Sequence, residues 1–562
     1  MSETRFLYKN SYQEKYTSSN IDPSAPPGFG DPTVWVNHVT GIMWVWGASA
    51  KEWARYSSAT ILQNILFVDP NGDDTTAVKG SIHSPWKTFE GAYSNMVSGD
   101  LLKAFKGNFS ITSALNLISE DRVLDFSNCY LETVFNGVAI AISGAGVKLK
   151  ILAGSIQLNE NNVTSYLIDE AVASDSEIII ESDFITGVAD DVSTWGRTQL
   201  IQSRGDLLDV KIKEVRWWGQ GLINTYASNN KIDIGTAIIV DNGGVDAGRF
   251  DEVIVTFRTP ANGGIANNRI DIGNFINERT DSQKNGPATI SGDSQNTVMI
   301  INNYTSAANR SSVKATALDV QVDYYEYAFG LPSGVADNMK LDYYIKNLTG
   351  EHLFYDNRKG TDRHLLYTVD KAVVDCPLYL MNLATAHSSG GDVMTNSSNR
   401  LNFGIVQVDA MPVVLIKSMA ADNTNFIIEG GKWQVDGNYG IYIHQYEFEN
   451  NSDLIIDVDK LESTSQGIYL KDCVVNAGCS IIIKGSYKVS NVATPVITIE
   501  NGTWNGNLIL DNCTLVNDGA TAAITSNIAV DVVIKNTYAN AVAIDANVTE
   551  IVSSIIRDVN VI

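Results

Sequence analysis

The chain has 562 residues, with 40 Lys and Arg against 64 Asp and Glu for a formal net charge of -24, and it is 44% hydrophobic and 19% charged. That balance belongs to a folded, core-forming chain rather than a disordered one, and without a run of basic residues it excludes a surface that tracks nucleic-acid phosphates. No stretch reaches the roughly 18 consecutive apolar residues needed to span a bilayer, and residues 1–16 are polar, so neither membrane insertion nor a secretory signal peptide is expected. Cys129, Cys376, Cys473, Cys479 and Cys513 are sparse and odd in number, which predicts buried free thiols rather than a disulfide framework. A chain this long ordinarily divides into several domains, unless a repeat lets one domain grow along an axis.

Residues 1–60 differ in texture from the rest. Between Asp31 and Trp46 apolar and polar residues alternate on both sides of Thr40-Gly41, which predicts a small hairpin carrying Trp35, Trp44 and Trp46, followed by Trp53. A unit of this size does not stand alone. Its tryptophans are expected to dock onto a larger assembly, or else to cap the repeat that follows.

Residues 61–119 read as an entrance. Val68-Asp69-Pro70-Asn71-Gly72-Asp73-Asp74 is turn chemistry, and its acids lack the spacing and glutamate of an EF-hand, so turn capping is expected rather than a metal site. Ser84 as N-cap with Pro85 in the first turn predicts a short helix that places Phe89 and Tyr93 on one face, ends near Gly99 and seals an apolar core.

From about 120 onward the chain is repetitive. In the section 401–562 an apolar triplet recurs at Phe426-Ile427-Ile428, Leu454-Ile455-Ile456, Ile481-Ile482-Ile483, Leu508-Ile509-Leu510 and Val532-Val533-Ile534, with spacings of 28, 27, 27 and 24 residues. A second series follows half a period behind, at Ile441-Tyr442-Ile443, Ile468-Tyr469-Leu470, Val496-Ile497 and Val542-Ala543-Ile544. These runs are short, β-branched and followed by Asn, Asp, Gly or Lys. Two strands per period of about 20–30 residues predict a parallel β-solenoid in which each coil stacks on the last. The section 120–319 carries the same grammar more loosely, for instance in Asp209-Val210-Lys211-Ile212 and Lys231-Ile232-Asp233-Ile234. Only 12 prolines agree with strands that need every N–H, and the frequent asparagines are expected at turns, stacked coil on coil or in the left-handed region.

At 320–400 the period breaks and aromatics collect with acids, in Asp323-Tyr324-Tyr325-Glu326-Tyr327, Leu341-Asp342-Tyr343-Tyr344 and around Tyr355, which reads as an irregular insertion off the solenoid face. The chain ends in strand-like residues from Ile551 to Ile562 without a visible cap, so its last coil is expected to be covered by symmetry mates or another protein.

The order V-D-P-x-x-G-D-D, P-W-K-T-F-x-x-A and G-D in residues 68–100 resembles the entrance of right-handed parallel β-helix proteins of the pectate-lyase-like superfamily. The W-V-N-x-x-T-G-x-x-W-x-W hairpin resembles small N-terminal modules of phage tail fibres and tailspikes. The resemblance implies an all-β fold, a right-handed single-stranded parallel β-helix with an N-terminal attachment module and a short capping helix. It also implies a homotrimer on a virion, docked to other tail or capsid proteins through Trp35, Trp44, Trp46 and Trp53, that meets a host surface polysaccharide. Alternatives on the same fold are a polysaccharide lyase or glycoside hydrolase, and a purely structural virion protein.

Neither the W-I-D-H and R-x-P-x-x-R motifs of pectate lyases nor the N-T-D, G-H-G and R-I-K motifs of polygalacturonases occur in the chain. Asp323 and Glu326 are the best candidates for a catalytic acid pair, beside Tyr324, Tyr325, Tyr327 and Tyr355 as sugar-stacking residues, with packing between coils or subunits as the competing role. Trp217-Trp218 forms a second candidate platform, since on a strand one of two neighbours faces outward, unless the pair lies in a subunit interface. Asp190-Asp191 reads as a solvated turn, and His352 and His364 lack a second histidine at ligand spacing, so no metal or cofactor is expected.

Overall fold

The computed structural model describes residues 64–539 apart from 118–120, 135–136, 159–163, 171–174, 189–196, 219–220, 241–251, 259, 261–265, 279–284, 291–294, 307–328, 332–339, 351–353, 357–363, 375–377, 383–393, 396–397, 410–411, 438, 492 and 520–521. Outside that span it describes strand backbones at each end: Glu3–Lys9, Tyr12–Ser19, Val34–Asn37, Met43–Gly47 and Glu52–Arg55, then Val548–Val552 and Ile555–Arg557.

The first five strands form one sheet in chain order, antiparallel except where Tyr12–Ser19 runs parallel to Val34–Asn37. Trp35 stands opposite Trp44 across the hairpin, and Trp46 opposite Trp53 in the next pair.

The body is a parallel β-solenoid. Each coil contributes one long strand to a continuous ladder, running from Arg122–Thr133 through Leu207–Trp218 and Lys340–Gly350 to Asn507–Asn517. A shorter strand per coil stacks into a second face. The long strand is bent. In Leu207–Trp218 burial falls on Leu208, Val210 and Ile212, then resumes on Val215 and Trp217, so one extra residue, Lys213, turns the chain between two legs that both face the core.

Coil after coil, the residue at this bend is left out of the register, as Lys213 and Gly235 are between the strands Leu207–Trp218 and Asn229–Ile239. A Cβ on Gly235 would come within 2.5 Å of the Lys213 carbonyl oxygen, so close stacking favours glycine there. In the last coils the bend is instead a left-handed residue, Gly485 (φ 100), Asn512 (φ 55) and Asn536 (φ 47). Asparagine tolerates that region better than other side chains. Asparagines also stack as expected: Asn303 Nδ2 donates to Asn274 Oδ1 at 2.8 Å, and Asn347 Nδ2 to Asn303 Oδ1 at 3.0 Å.

The entrance motif is a knot of turns. A Cβ on Gly72 would come within 2.6 Å of the Pro85 and Trp86 carbonyl oxygens. Asp69 accepts from the Asn71 N–H at 2.8 Å, and Asp73 from the Thr75 N–H at 2.9 Å, which makes these acids turn caps. Asp74 accepts from the Lys87 and Thr88 N–H groups at 2.7 and 3.0 Å. That anchorage moves the helix start: the helix is Phe89–Ser94 with Thr88 as N-cap, not Ser84, because Trp86 is bridged in parallel to Val68 of the strand Ile65–Val68 and so cannot belong to a first helical turn. Phe89 and Tyr93 are buried as predicted, and Phe89 packs on Phe126 with ring centroids 5.3 Å apart, so the helix covers the first coil.

The irregular insertion expected at 320–400 is revised for its described part. Lys340–Gly350 and His364–Val374 pair in register with the coils on either side, and Phe329–Leu331, Phe354–Asp356 and Tyr379–Asn382 continue the short ladder. The aromatics that disturb the sequence pattern are core: Tyr343, Tyr367, Phe403 and Trp433 are buried, with successive ring centroids 5.6–6.1 Å apart. Coil length varies here while strand register does not.

Cys129, Cys473, Cys479 and Cys513 are buried free thiols, and burial pushes Cys129 up to about 11 and Cys473 and Cys513 up to about 12. Cys376 lies outside the described residues.

Acids accumulate on one outer edge, where Glu449 stands beside Asp422 in register and near Glu447. Burial first, then these two carboxylates, raise its pKa above the ordinary glutamate value. A raised folded value means that Glu449 contributes to stability when protonated at low pH and that this contribution is lost as pH rises through the folded value. Glu449→Gln is therefore expected to melt higher than wild type at pH 7 and equally at pH 3.5. A variant with no gain at pH 7 would contradict this reading.

Candidate functional site

An open concavity runs along the bend of the long strands in the first half of the body. A groove of about 560 Å³ is lined by Leu152, Ala153 and Ile212 together with Ser127, Glu181, Asp183, Lys211, Lys213 and Asp233. Glu181, Lys211 and Asp233 occupy one register position in three successive coils, so acid, base and acid follow one another at the spacing of neighbouring strands, about 4.8 Å. The groove acids already hold lysines: Lys150, outside the groove, reaches Glu181 at 3.1 Å and Lys213 reaches Asp183 at 2.5 Å, while Lys211 lies 4.0 Å from Asp209. The first two pairs are solvent-exposed and add little to stability. They leave an amphipathic trough, with methyl and methylene groups beside alternating hydrogen-bond donors and acceptors.

A second constellation lies on the short-strand face of the regular C-terminal coils. His444 Nε2 and Asp472 Oδ2 are 2.9 Å apart, the Tyr469 hydroxyl donates to Glu500, and Lys471 lies 3.9 Å from Glu500. Tyr439, Tyr442 and Tyr469 stack behind them at centroid distances of 4.8–5.2 Å. Burial and then the Glu500 hydrogen bond raise the Tyr469 pKa, so this phenol holds its proton.

Neither constellation coincides with the residues that stand out in the sequence. Asp323, Tyr324, Tyr325, Glu326 and Tyr327 lie outside the described residues, as do Asp190 and Asp191. Tyr355 is in the strand Phe354–Asp356 and Trp218 ends the strand Leu207–Trp218, but their side chains lie outside the described set, as do those of Trp35, Trp44, Trp46 and Trp53. Trp217 corrects the expectation of a glycan platform: it is 1% exposed, with its ring lying over Gly187 of the preceding coil.

The groove residues carry a sequence signal only in retrospect. Asp209-Val210-Lys211-Ile212 and Lys231-Ile232-Asp233-Ile234 show alternation, but which outward residues become neighbours depends on a register set by coil lengths. Among the described residues no group of three or more His, Cys, Asp or Glu is arranged to hold a metal ion, and no helix is long and apolar enough to cross a membrane. Scans against protein-family models, curated proteins and solved structures return no match for this chain.

Proposed function

We propose that the protein is a self-associating spike or fibre of a phage virion that attaches to a host surface polysaccharide, with the bend groove as the sugar-binding surface. The groove is the observation that carries the proposal. Sugars present C–H faces and hydroxyls together, and an open trough of aliphatic carbon flanked by Glu181, Asp183, Lys211, Lys213 and Asp233 offers a partner for each. The tryptophan-bearing sheet at 34–55 supports attachment through the N-terminal part.

Self-association is supported by a file of aliphatic side chains on the outer face. Ile427, Ile455, Ile482, Ile509 and Val533 stack in register between buried neighbours, and each is only half-buried. A second copy presents an apolar file with the same coil repeat and is the occupant proposed for it. Light scattering is expected to give a multiple of the 61.1 kDa chain mass, three by the resemblance in the sequence, and binding to host capsule is expected to fall at least tenfold in Lys213→Ala and Asp233→Ala. A monomer whose capsule binding ignores both substitutions would overturn the proposal.

A second reading, depolymerisation of the same glycan, is favoured by the His444–Asp472 pair beside Glu500, since a histidine oriented by a carboxylate is suited to proton transfer. The groove acids favour it less, because Glu181 and Asp183 already hold lysines. A fall in capsule viscosity that disappears in His444→Ala would establish cleavage, and unchanged viscosity would leave attachment alone.

A further inference from the structure

We infer that the corner between the short and long strands carries a separate subsite for a carboxylate, centred on Arg258 and matched to an acidic sugar residue. Arg204, Tyr226 and Arg258 each follow directly on a short strand in three successive coils, after Ser203, Thr225 and Phe257, and the backbone ladder continues through them. Their side chains form a pile in which the two guanidinium carbons stand 5.6 and 5.5 Å from the Tyr226 ring centroid. Two cations stacked on one phenol ring, in a protein of net charge -24, form a local reversal of sign.

The orientation of Arg258 points to its use. Its Nε donates to Asn224 Oδ1 at 2.8 Å, and Asn224 is 6% exposed. If stacking on Tyr226 were all that mattered, an apolar residue would serve at 224. The buried amide adds a second constraint, so the plane and the edge of the guanidinium are both set before a ligand arrives. Among the described residues no acceptor takes the terminal nitrogens of Arg258, whose parallel N–H groups match the two oxygens of a carboxylate. Arg204, by contrast, is close enough to Asp169 to offset part of the rise in pKa that burial imposes on that carboxyl, so within the pile the unengaged fork belongs to Arg258.

The saccharide part of this inference rests on the proposed function, whereas the carboxylate part rests on the geometry of Arg258 alone. Binding of glucuronate, glucose and inorganic phosphate to the full chain by saturation-transfer NMR and calorimetry tests it, with melting curves recorded for each variant. Glucuronate is expected to bind, glucose not to bind at this site, and glucuronate affinity to fall at least tenfold in Arg258→Ala. It should also fall several-fold in Arg258→Lys, which keeps the charge and loses the fork. Equal glucuronate binding in wild type and Arg258→Ala would overturn the subsite, and so would loss in Arg258→Ala with full retention in Arg258→Lys. Phosphate binding at Arg258 without glucuronate binding would overturn the carboxylate assignment. If capsule binding depends on Lys213 while glucuronate ignores Arg258, the subsite fails and the attachment proposal stands. If glucuronate depends on Arg258 while capsule binding ignores Lys213 and Asp233, the subsite stands and the groove fails.

Discussion

Trp433→Ala is expected to lower stability by about 3–5 kcal/mol, the range for truncating a buried aromatic residue. Trp433 is 2% exposed, its Nε1–H donates to the Phe403 carbonyl oxygen at 2.8 Å, and its ring lies over Gly430, where any Cβ would collide with it. Alanine removes the ring contact with Phe403, leaves a cavity between coils and strands a buried carbonyl. Because each coil of a solenoid touches mainly its neighbours, the loss should be local. Hydrogen exchange should accelerate in the strands Ser398–Asp409, Asn425–Asp436 and Asp453–Ser463 and stay unchanged in 122–277. Trp433→Phe keeps a ring and loses only the N–H, so it should fall between alanine and wild type. A loss below about 1 kcal/mol in Trp433→Ala, or acceleration spread evenly along the chain, would refute this account.

Glu170→Ala is expected to cost about 3 kcal/mol, from three donors left without an acceptor in a buried corner. Glu170 is fully buried at the end of a short strand, and its Oε2 accepts from Ser203 Oγ at 3.0 Å, the Arg204 N–H at 2.7 Å and the Gly205 N–H at 2.6 Å. One carboxylate oxygen therefore holds the turn by which the next coil leaves the short strand for the long one. Its other oxygen, Oε1, is buried without a hydrogen-bond partner, and a Cβ at Gly205 would come within 2.6 Å of it. Glutamine keeps an accepting oxygen at Oε2, so Glu170→Gln should sit within about 1 kcal/mol of wild type while Glu170→Ala does not. Chemical denaturation of both variants distinguishes this from simple packing, which would make them equal.

Glu170 also shows where a linear reading stops. In the sequence it is one acid among 64, before a polar stretch. It becomes a structural anchor because the next coil places three donors around it, 33 to 35 residues away in the chain. The Tyr343-Tyr344 pair makes the same point for the core. In the sequence they break the period and read as part of an irregular insertion, yet the strand sends Tyr343 inward against Tyr367 and Tyr344 outward to Asp370, 2.5 Å from its hydroxyl. The break in period at 320–400 reflects longer connections, which change spacing without changing what the strands do.

The triplets such as Phe426-Ile427-Ile428 mark the division most clearly. The parallel solenoid is legible in the residues alone, because a β-branched run repeated every 24–28 residues with turn residues behind it buries its apolar groups by stacking coil on coil. Buried thiols, stacked asparagines and a helix carrying Phe89 and Tyr93 inward are legible there too. Stacking of the coils settles the rest: the middle residue of each triplet faces outward in file, Trp217 is core, Glu181, Lys211 and Asp233 line one groove, and Arg258 lies over Tyr226. The physical reason is register. Composition and periodicity settle which side chains are buried, but which surface side chains meet depends on how many residues each coil spends in its turns, and that count becomes a position only when the coils stack.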